Sequence, residues 1–402
     1  MRRAGLSRLA PLSGAVLLLL LAACGSGAAP APSVSGPANP SPASPAATSA
    51  AATAKPAAAS AASSAASLDS LLAAAKQEGK VTIVGAPGDV FRQVYDTFSK
   101  KYGIPYEILA GNGNADQVPK IDAERKAGQY LWDVVVHSPA SQFGGYKPMG
   151  ALDPLRPALL PEVLDDSKWI NGFESGWNDS GKQLSYSFTA YLVRSVYVNR
   201  QFMPESTMSK FDDLWDPKVK GKIAMFDPRP PSVGTLVASG ILVAKGEDKL
   251  RSFLQDQQPV LTQDRRQLAE WLVRGQYPIA LGEDQTALKD LANGGVDVSQ
   301  VKPLLDDDPA SAMYSVATGA VGIFNRAPHP NAARLLINWL LSQEGQTVYS
   351  QKTTVNSRRT DVPPQLPPEL TLDPKKSYLN TQIEDNFSYF TKTSAVAKEV
   401  IK

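Results

Sequence analysis

The chain has 402 residues, 43% of them hydrophobic and 20% charged, with a formal net charge of +2, a composition that can bury a real core and excludes disorder of the whole. One Cys and two His are too few for a Cys-rich zinc site, a disulfide framework or an iron–sulfur cluster. Nucleic acid is excluded as a partner, since binding it requires a concentrated basic face and this charge is close to balanced.

Residues 1–23 run from Arg2 and Arg3 through the apolar stretch Ala15 to Leu21 to a small-residue end. That order predicts a secretory signal, too short to span a membrane and remain there. The ending Leu21-Ala22-Ala23-Cys24 resembles the bacterial lipoprotein box, which implies a lipid anchor on Cys24, and several acyl chains at ~0.8 kcal/mol per buried methylene hold a protein durably to a membrane. An exported location on the extracytoplasmic face or in the periplasm follows. Residues 24–66 are almost entirely Ala, Pro, Ser, Gly and Thr, which cannot bury enough apolar area to offset ordering and predicts a flexible tether reaching ~35 Å. A glycosylated stalk has the same composition.

From residue 67 the pattern becomes globular. Leu68, Leu71, Leu72 and Ala75 have helical spacing, and Gly79 ends the helix. Strands are predicted at Val81–Val84, Tyr106–Ala110 and Asp133–Val136, with helices at about 90–102 and 116–127 between them. A long β-rich crossing, Ser185–Asn199, leads to a second set of strands at Lys222–Met225, Pro259–Leu261 and Ile279–Leu281, with a helix over Arg265–Val273. A second long strand-like run, Met313–Phe324, then precedes a helix over Asn331–Leu341. Short apolar strands alternating with amphipathic helices predict α/β architecture with mainly parallel sheets flanked by helices. Two such sets joined by two long strands predict two lobes and a hinge near residues 186–191 and 310–315. The boundaries read as residues 67–188 and 312–358 for lobe one, 189–311 for lobe two, and 359–402 for a C-terminal segment packing back on lobe two.

Parallel sheets bind ligands beyond the carboxyl ends of their strands, where loops and helix N-termini offer unpaired N–H groups. The candidates in lobe one are Asp89, Asn112, Asn114 and Ser138. Those in lobe two are Ser232, Gly234 and Thr235, which open an apolar helix; Arg265, able to take an acid group bidentately; and Glu283 with Asp284, able to hold an ammonium group or a cation. Asp89 and Asp284 serve equally as helix caps. Tyr186, Tyr191 and Tyr314 lie near the crossings, Tyr314 being the first choice for stacking on a ligand. The run Gly111-Asn112-Gly113-Asn114-Ala115-Asp116 is not a dinucleotide fingerprint, because Asp116 replaces its third Gly and would repel a pyrophosphate. His137 beside Ser138 lacks a Gly-x-Ser-x-Gly elbow, and adjacent side chains at a strand end are expected to point apart. No catalytic residue, metal site or cofactor is assigned.

Two segments carry a family resemblance: Lys210-Phe-Asp-Asp-Leu-Trp-Asp-Pro-Lys-Val-Lys-Gly-Lys-Ile-Ala-Met225, and His329-Pro-Asn-Ala-Ala-Arg-Leu-Leu-Ile-Asn-Trp-Leu-Leu-Ser-Gln-Glu-Gly-Gln346. Both resemble the extracellular solute-binding proteins of iron(III)-type ABC importers, from about Gly79 to Arg359. The resemblance implies a type II periplasmic-binding-protein fold, a monomer closing on a small-molecule solute, and delivery to an ABC permease driven by its ATPase. It also implies that Asn356 and Arg358 line the cleft. Iron-binding members hold the ion with an adjacent Tyr-Tyr pair late in lobe two, since phenolate oxygens suit a hard trivalent cation. No Tyr-Tyr occurs here, and the corresponding loop reads Gly282-Glu283-Asp284-Gln285. A small polar solute, organic or oxyanionic, is therefore the expected ligand; ferric iron stays open as the alternative, with an exported hydrolase or a ligand sensor on the same scaffold behind it.

Overall fold

The hydrophobic residues of each central strand divide between two cores, and that division explains the architecture. In β1 (Val81–Gly85), Val81 and Ile83 enter one core while Val84 enters another. The neighbouring β3 (Val134–His137) does the same, with Val134 and Val136 on one face and Val135 on the other. Side chains alternate across a strand, so apolar residues at every position require helices on both faces. The computed structural model describes residues 68–283 and 285–401. Cys24, the signal and the tether lie outside the described residues, as does Asp284. Everything described belongs to one unit, Ser63–Lys402.

The first sheet has the order β2-β1-β3-β13-β4, where β2 is Tyr106–Ala110, β4 is Leu152–Asp153 and β13 is Ala320–Phe324. β1 runs parallel to β2 and β3; β13 runs antiparallel to β3 and β4, and also to β5 (Tyr186–Ser187). Helices Leu68–Glu78, Asp89–Tyr102 and Pro330–Leu341 cover one face through Leu71, Phe98 and Leu336, and Ile121 of helix Gln117–Lys126 covers the other.

The second sheet has the order β11-β7-β10-β8-β9: β7 is Val196–Asn199, β8 Ile223–Phe226, β9 Val260–Thr262, β10 Ile279–Leu281 and β11 Val301–Pro303. β10, β8 and β9 run parallel to one another, and beyond β10 the sheet continues through β7, antiparallel to both its neighbours, to β11 at the edge. Ile223 and Met225 point to the helix Val233–Lys245, while Ala224 and Phe226 point to the helix Arg265–Val273 and the helix Gln285–Asn293.

The two sheets are joined by a ribbon belonging to neither. β6 (Tyr191–Arg194) pairs antiparallel with β12 (Ala312–Ser315), aligning Tyr191 with Ser315. The chain thus leaves lobe one through β5 and β6 and returns from lobe two through β11 and β12. The expected single strand over Met313–Phe324 is instead broken into β12 and β13. Ala317 adopts φ +46, and Gly319 N–H closes a turn on Val316 O at 2.8 Å. Gly319 is required there because a Cβ would meet Thr189 Oγ1 at 1.8 Å, where the outgoing chain crosses the returning one. The C-terminal helix Phe387–Val400 packs on the helix Val233–Lys245, with Val396 and Ala397 entering the second lobe's core.

Candidate functional site

In lobe one, three strand ends are bound into one rim. Gly111 N–H donates to Gly85 O at 3.1 Å, and Gln117 donates through Nε2 to Gly85 O and Leu109 O at 2.8 and 2.7 Å. Its Oε1 accepts Gly113 N–H at 3.0 Å. Gln117 is buried and organises the loop, and sequence reading missed it because nothing local distinguishes it from a surface glutamine. His137, the last residue of β3, accepts Ser138 N–H on Nδ1 at 2.8 Å and places Nε2 3.2 Å from Gly111 O. The proton therefore resides on Nε2. Burial lowers the His137 pKa, opposed by its bond to Gly111, so the imidazole stays neutral and ties β3 to β2.

The backbone turns at Ser138 into the short helical segment Pro139–Ser141. This brings Ser138 Oγ and Ser141 Oγ each to 3.3 Å from His137 Nδ1 and 3.1 Å from one another. The expectation that His137 and Ser138 diverge is thereby corrected: it assumes a strand continuing beyond His137. Asn112 and Asn114 are exposed on the same rim, and Asn114 Nδ2 reaches Ala140 O at 3.5 Å. Asp89 is exposed at the first position of its helix, whose N-cap Gly88 supplies no side-chain bond.

In lobe two, the ends of β8, β9 and β10 form a second rim. Asp227 accepts Arg229 Nε and Nη2, and Gln263 Nε2 at 3.0 Å. Burial alone would raise this carboxyl, but those donors hold it below its ordinary range. Ser232 caps the helix Val233–Lys245 by accepting Thr235 N–H at 3.2 Å, and its hydroxyl donates to Asp227 O at 2.7 Å. Thr235 Oγ1, fully buried, lies 3.0 Å from Pro228 O. At Gly234 a Cβ would sit 2.0 Å from Phe226 O, so only glycine lets this helix start touch the end of β8. Gly234 and Thr235, which the sequence offers as ligand contacts, thus shape the loop at this helix start.

Arg265 lies exposed at the start of its helix, its guanidinium 5.6 Å from the Phe226 ring. Arg266 instead pairs with Glu270 at 2.9 Å. Glu283, just past β10, is 2% exposed, and neither carboxyl oxygen has a hydrogen-bond donor among the described residues. Its pKa is pushed up to about 8 by burial, opposed only by Arg265.

At the connecting ribbon, burial raises the Tyr191 pKa, opposed by Ser315 and Arg265. Burial raises the Tyr314 pKa, opposed by the nearby Arg358 guanidinium. Arg358 corrects the expectation of a cleft-lining side chain. It is 2% exposed, with Nη1 on Ser187 O at 3.0 Å and Nη2 on Ile170 O at 3.0 Å, Gly172 O at 3.3 Å and Ser175 Oγ at 2.5 Å. Asn356 is likewise consumed, accepting the N–H groups of Gln365 and Leu366. Tyr186 stacks on Phe173 at 4.3 Å inside lobe one. Among the described residues no three His, Cys, Asp or Glu side chains gather as metal ligands would.

Comparison with known proteins agrees with this geometry. The model of bacterial extracellular solute-binding proteins matches residues 93–377. A solved Trichodesmium protein (IdiA, FutA) in complex with iron and citrate superposes with a TM-score of 0.60 at 18% identity, covering 80% of this chain and 98% of that one. Iron-bound HitA of Pseudomonas aeruginosa gives 0.60 at 16%, covering 80% and 99%, and the open ferric-iron-binding protein A of Mannheimia haemolytica gives 0.62 at 14%, covering 80% and 98%. An uncharacterized protein of Haemophilus influenzae is 22% identical over 263 residues, 62% of this chain and 70% of its own length. With two α/β lobes joined by a two-stranded ribbon, and a family match over most of its length, this chain belongs to the bacterial extracellular solute-binding proteins.

Proposed function

We propose that this protein captures a small polar solute, organic or oxyanionic, between its lobes and delivers it to the permease of an ABC importer powered by a separate ATPase. The observation that carries the reading is the β6–β12 ribbon, the strand pair through which two separate sheets connect, so that one can rotate on the other. The contact set is Asp89, Asn112, Asn114 and Ser138 from one rim, Ser232, Arg265, Glu283 and Asp284 from the other, and Tyr314 beside the hinge. The proposed lobes are residues 67–188 with 312–358, and 189–311. The protein acts as a monomer without covalent chemistry, exported and tethered through a lipid on Cys24. No described helix is long and apolar enough to cross a membrane.

Ferric iron is the second reading, favoured by the iron reported with the Trichodesmium and Pseudomonas proteins.

Native mass spectrometry of protein extracted from membranes, followed by thermal shift with ferric salts, carboxylates, phosphonates and polyamines, separates the two. The expected results are acyl mass on Cys24 and stabilisation by an organic or oxyanionic compound, about 2.7 kcal/mol at 100 times its dissociation constant. Stabilisation by ferric salts alone would establish the iron reading; stabilisation by nothing in the panel would contradict both.

A further inference from the structure

The chain beyond residue 377, past the family-matched stretch, makes contacts in the hinge and in both lobes. Leu379 lies alongside β12, its carbonyl accepting Tyr314 N–H at 2.9 Å. Thr381 Oγ1 is 3.1 Å from Ser239 Oγ on the lobe-two helix Val233–Lys245, and Gln382 Oε1 accepts Val316 N–H at 3.0 Å.

The next residues dock on lobe one. Glu384 meets Lys147 Nζ with both oxygens at 2.6 Å and accepts Ser180 N–H at 2.8 Å, while its own N–H donates to Asn178 O at 2.8 Å. Asp385 accepts Ser180 Oγ at 2.5 Å. The Phe387 ring meets Phe143 edge-on at 5.0 Å, in the segment that follows β3 on the lobe-one rim. The helix that Phe387 begins then ends in lobe two: Ser394 donates to Arg229 O on the opposite rim, Arg251 pairs with Glu399 at 2.9 Å, and Val396 and Ala397 are buried.

We propose that residues 378–400 form a strap which fastens the two lobes together in the absence of solute and must peel from lobe one for the cleft to open. A single helix with one end on each lobe cannot follow a rotation about β6 and β12 without breaking an attachment. The lobe-two attachment is a buried apolar contact, whereas the Lys147–Glu384 pair keeps side-chain exposures of 33% and 26%. Ion pairs that keep about a third of their side-chain surface in solvent are a weaker attachment than a buried apolar contact, so release occurs at Glu384 and Phe387. This rests on the two-lobe receptor reading above.

The test uses the full chain in detergent without solute, spin-labelled at Lys126→Cys in lobe one and Lys220→Cys in lobe two, with distances read by pulsed electron resonance. The starting protein should give one narrow, short distance. Glu384→Gln and Phe387→Ala should each shift more than half of the molecules to longer distances, whereas Lys392→Ala, which loses only an outer contact to Glu247 on lobe two, should not. Unchanged distances in both rim variants, or a starting protein already spread over long distances, would overturn the strap. Solute binding by the unlabelled protein is a separate readout: its absence would overturn the receptor reading and leave the distance result standing.

Discussion

Replacing Glu283 by glutamine is expected to stabilise the solute-free protein above neutral pH and to flatten its dependence of stability on pH. The carboxyl is enclosed and receives no hydrogen bond among the described residues, so folding favours its neutral form and raises its pKa from 4.5 to about 8. Below pH 4.5 both states hold the proton and the group does not distinguish them. Between pH 4.5 and about 8 the unfolded chain has released the proton while the folded chain keeps it, so stability falls as pH rises. Each pH unit in that window costs up to about 1.4 kcal/mol. Glutamine keeps the volume and has no charge to lose. Urea unfolding should show Glu283→Gln more stable by about 2–4 kcal/mol at pH 8.5 and equal to the parent near pH 4.5. Equal midpoints at both pH values would show that the acid is solvated or paired after all. An acid held at such cost beside Arg265 is the kind of perturbed group that marks binding sites, and the same variant should bind its solute more weakly.

The second large effect concerns Arg358. Its guanidinium satisfies the carbonyls of Ile170, Gly172 and Ser187 and the Ser175 hydroxyl, and lies 5.9 Å from the Trp169 ring and 5.7 Å from the Tyr186 ring. Arg358→Ala strips the guanidinium's bond from Ser187 O, leaves Ile170 O and Gly172 O with only the Ser175 hydroxyl, and opens a cavity among aromatic rings. A loss of about 3–5 kcal/mol is expected from chemical denaturation. Arg358→Lys should recover less than half of it, because one ammonium cannot reach acceptors served by two guanidinium nitrogens. If Arg358→Ala folds as stably as the parent but fails to bind solute, the sequence-level reading of Arg358 as a cleft residue is correct and the structural one is not.

These two residues show what was readable without coordinates. The β-branched run Val81–Val84 and the isolated apolar triplet Ile279–Leu281 are local signals, and β10 and the helix Arg265–Val273 appear with the predicted bounds. The crossing over 185–199 was legible because apolar and aromatic residues persist there without a helical period. The interruption at 316–319 was not, since its cause is Thr189 pressing on Gly319 from 130 residues earlier in the chain. The same limit hid Gln117, which holds two strand carbonyls and the N–H of Gly113 in the following turn, and the pairing of Lys147 with Glu384 across 237 residues. Thr235 is expected to meet a ligand because it opens a helix beyond a strand end, and Arg358 because the family resemblance implies it. Here both turn inward to satisfy carbonyls of irregular loops, a demand set by tertiary packing.

The central claim is that two rims from separate lobes grip one guest. Hydrogen exchange of the protein with and without a compound found by thermal shift tests it most directly. The account predicts slowed exchange together in 86–89, 111–114 and 137–146 of lobe one and in 227–235, 262–265 and 282–285 of lobe two. Protection confined to one lobe, or placed away from both rims, would contradict it.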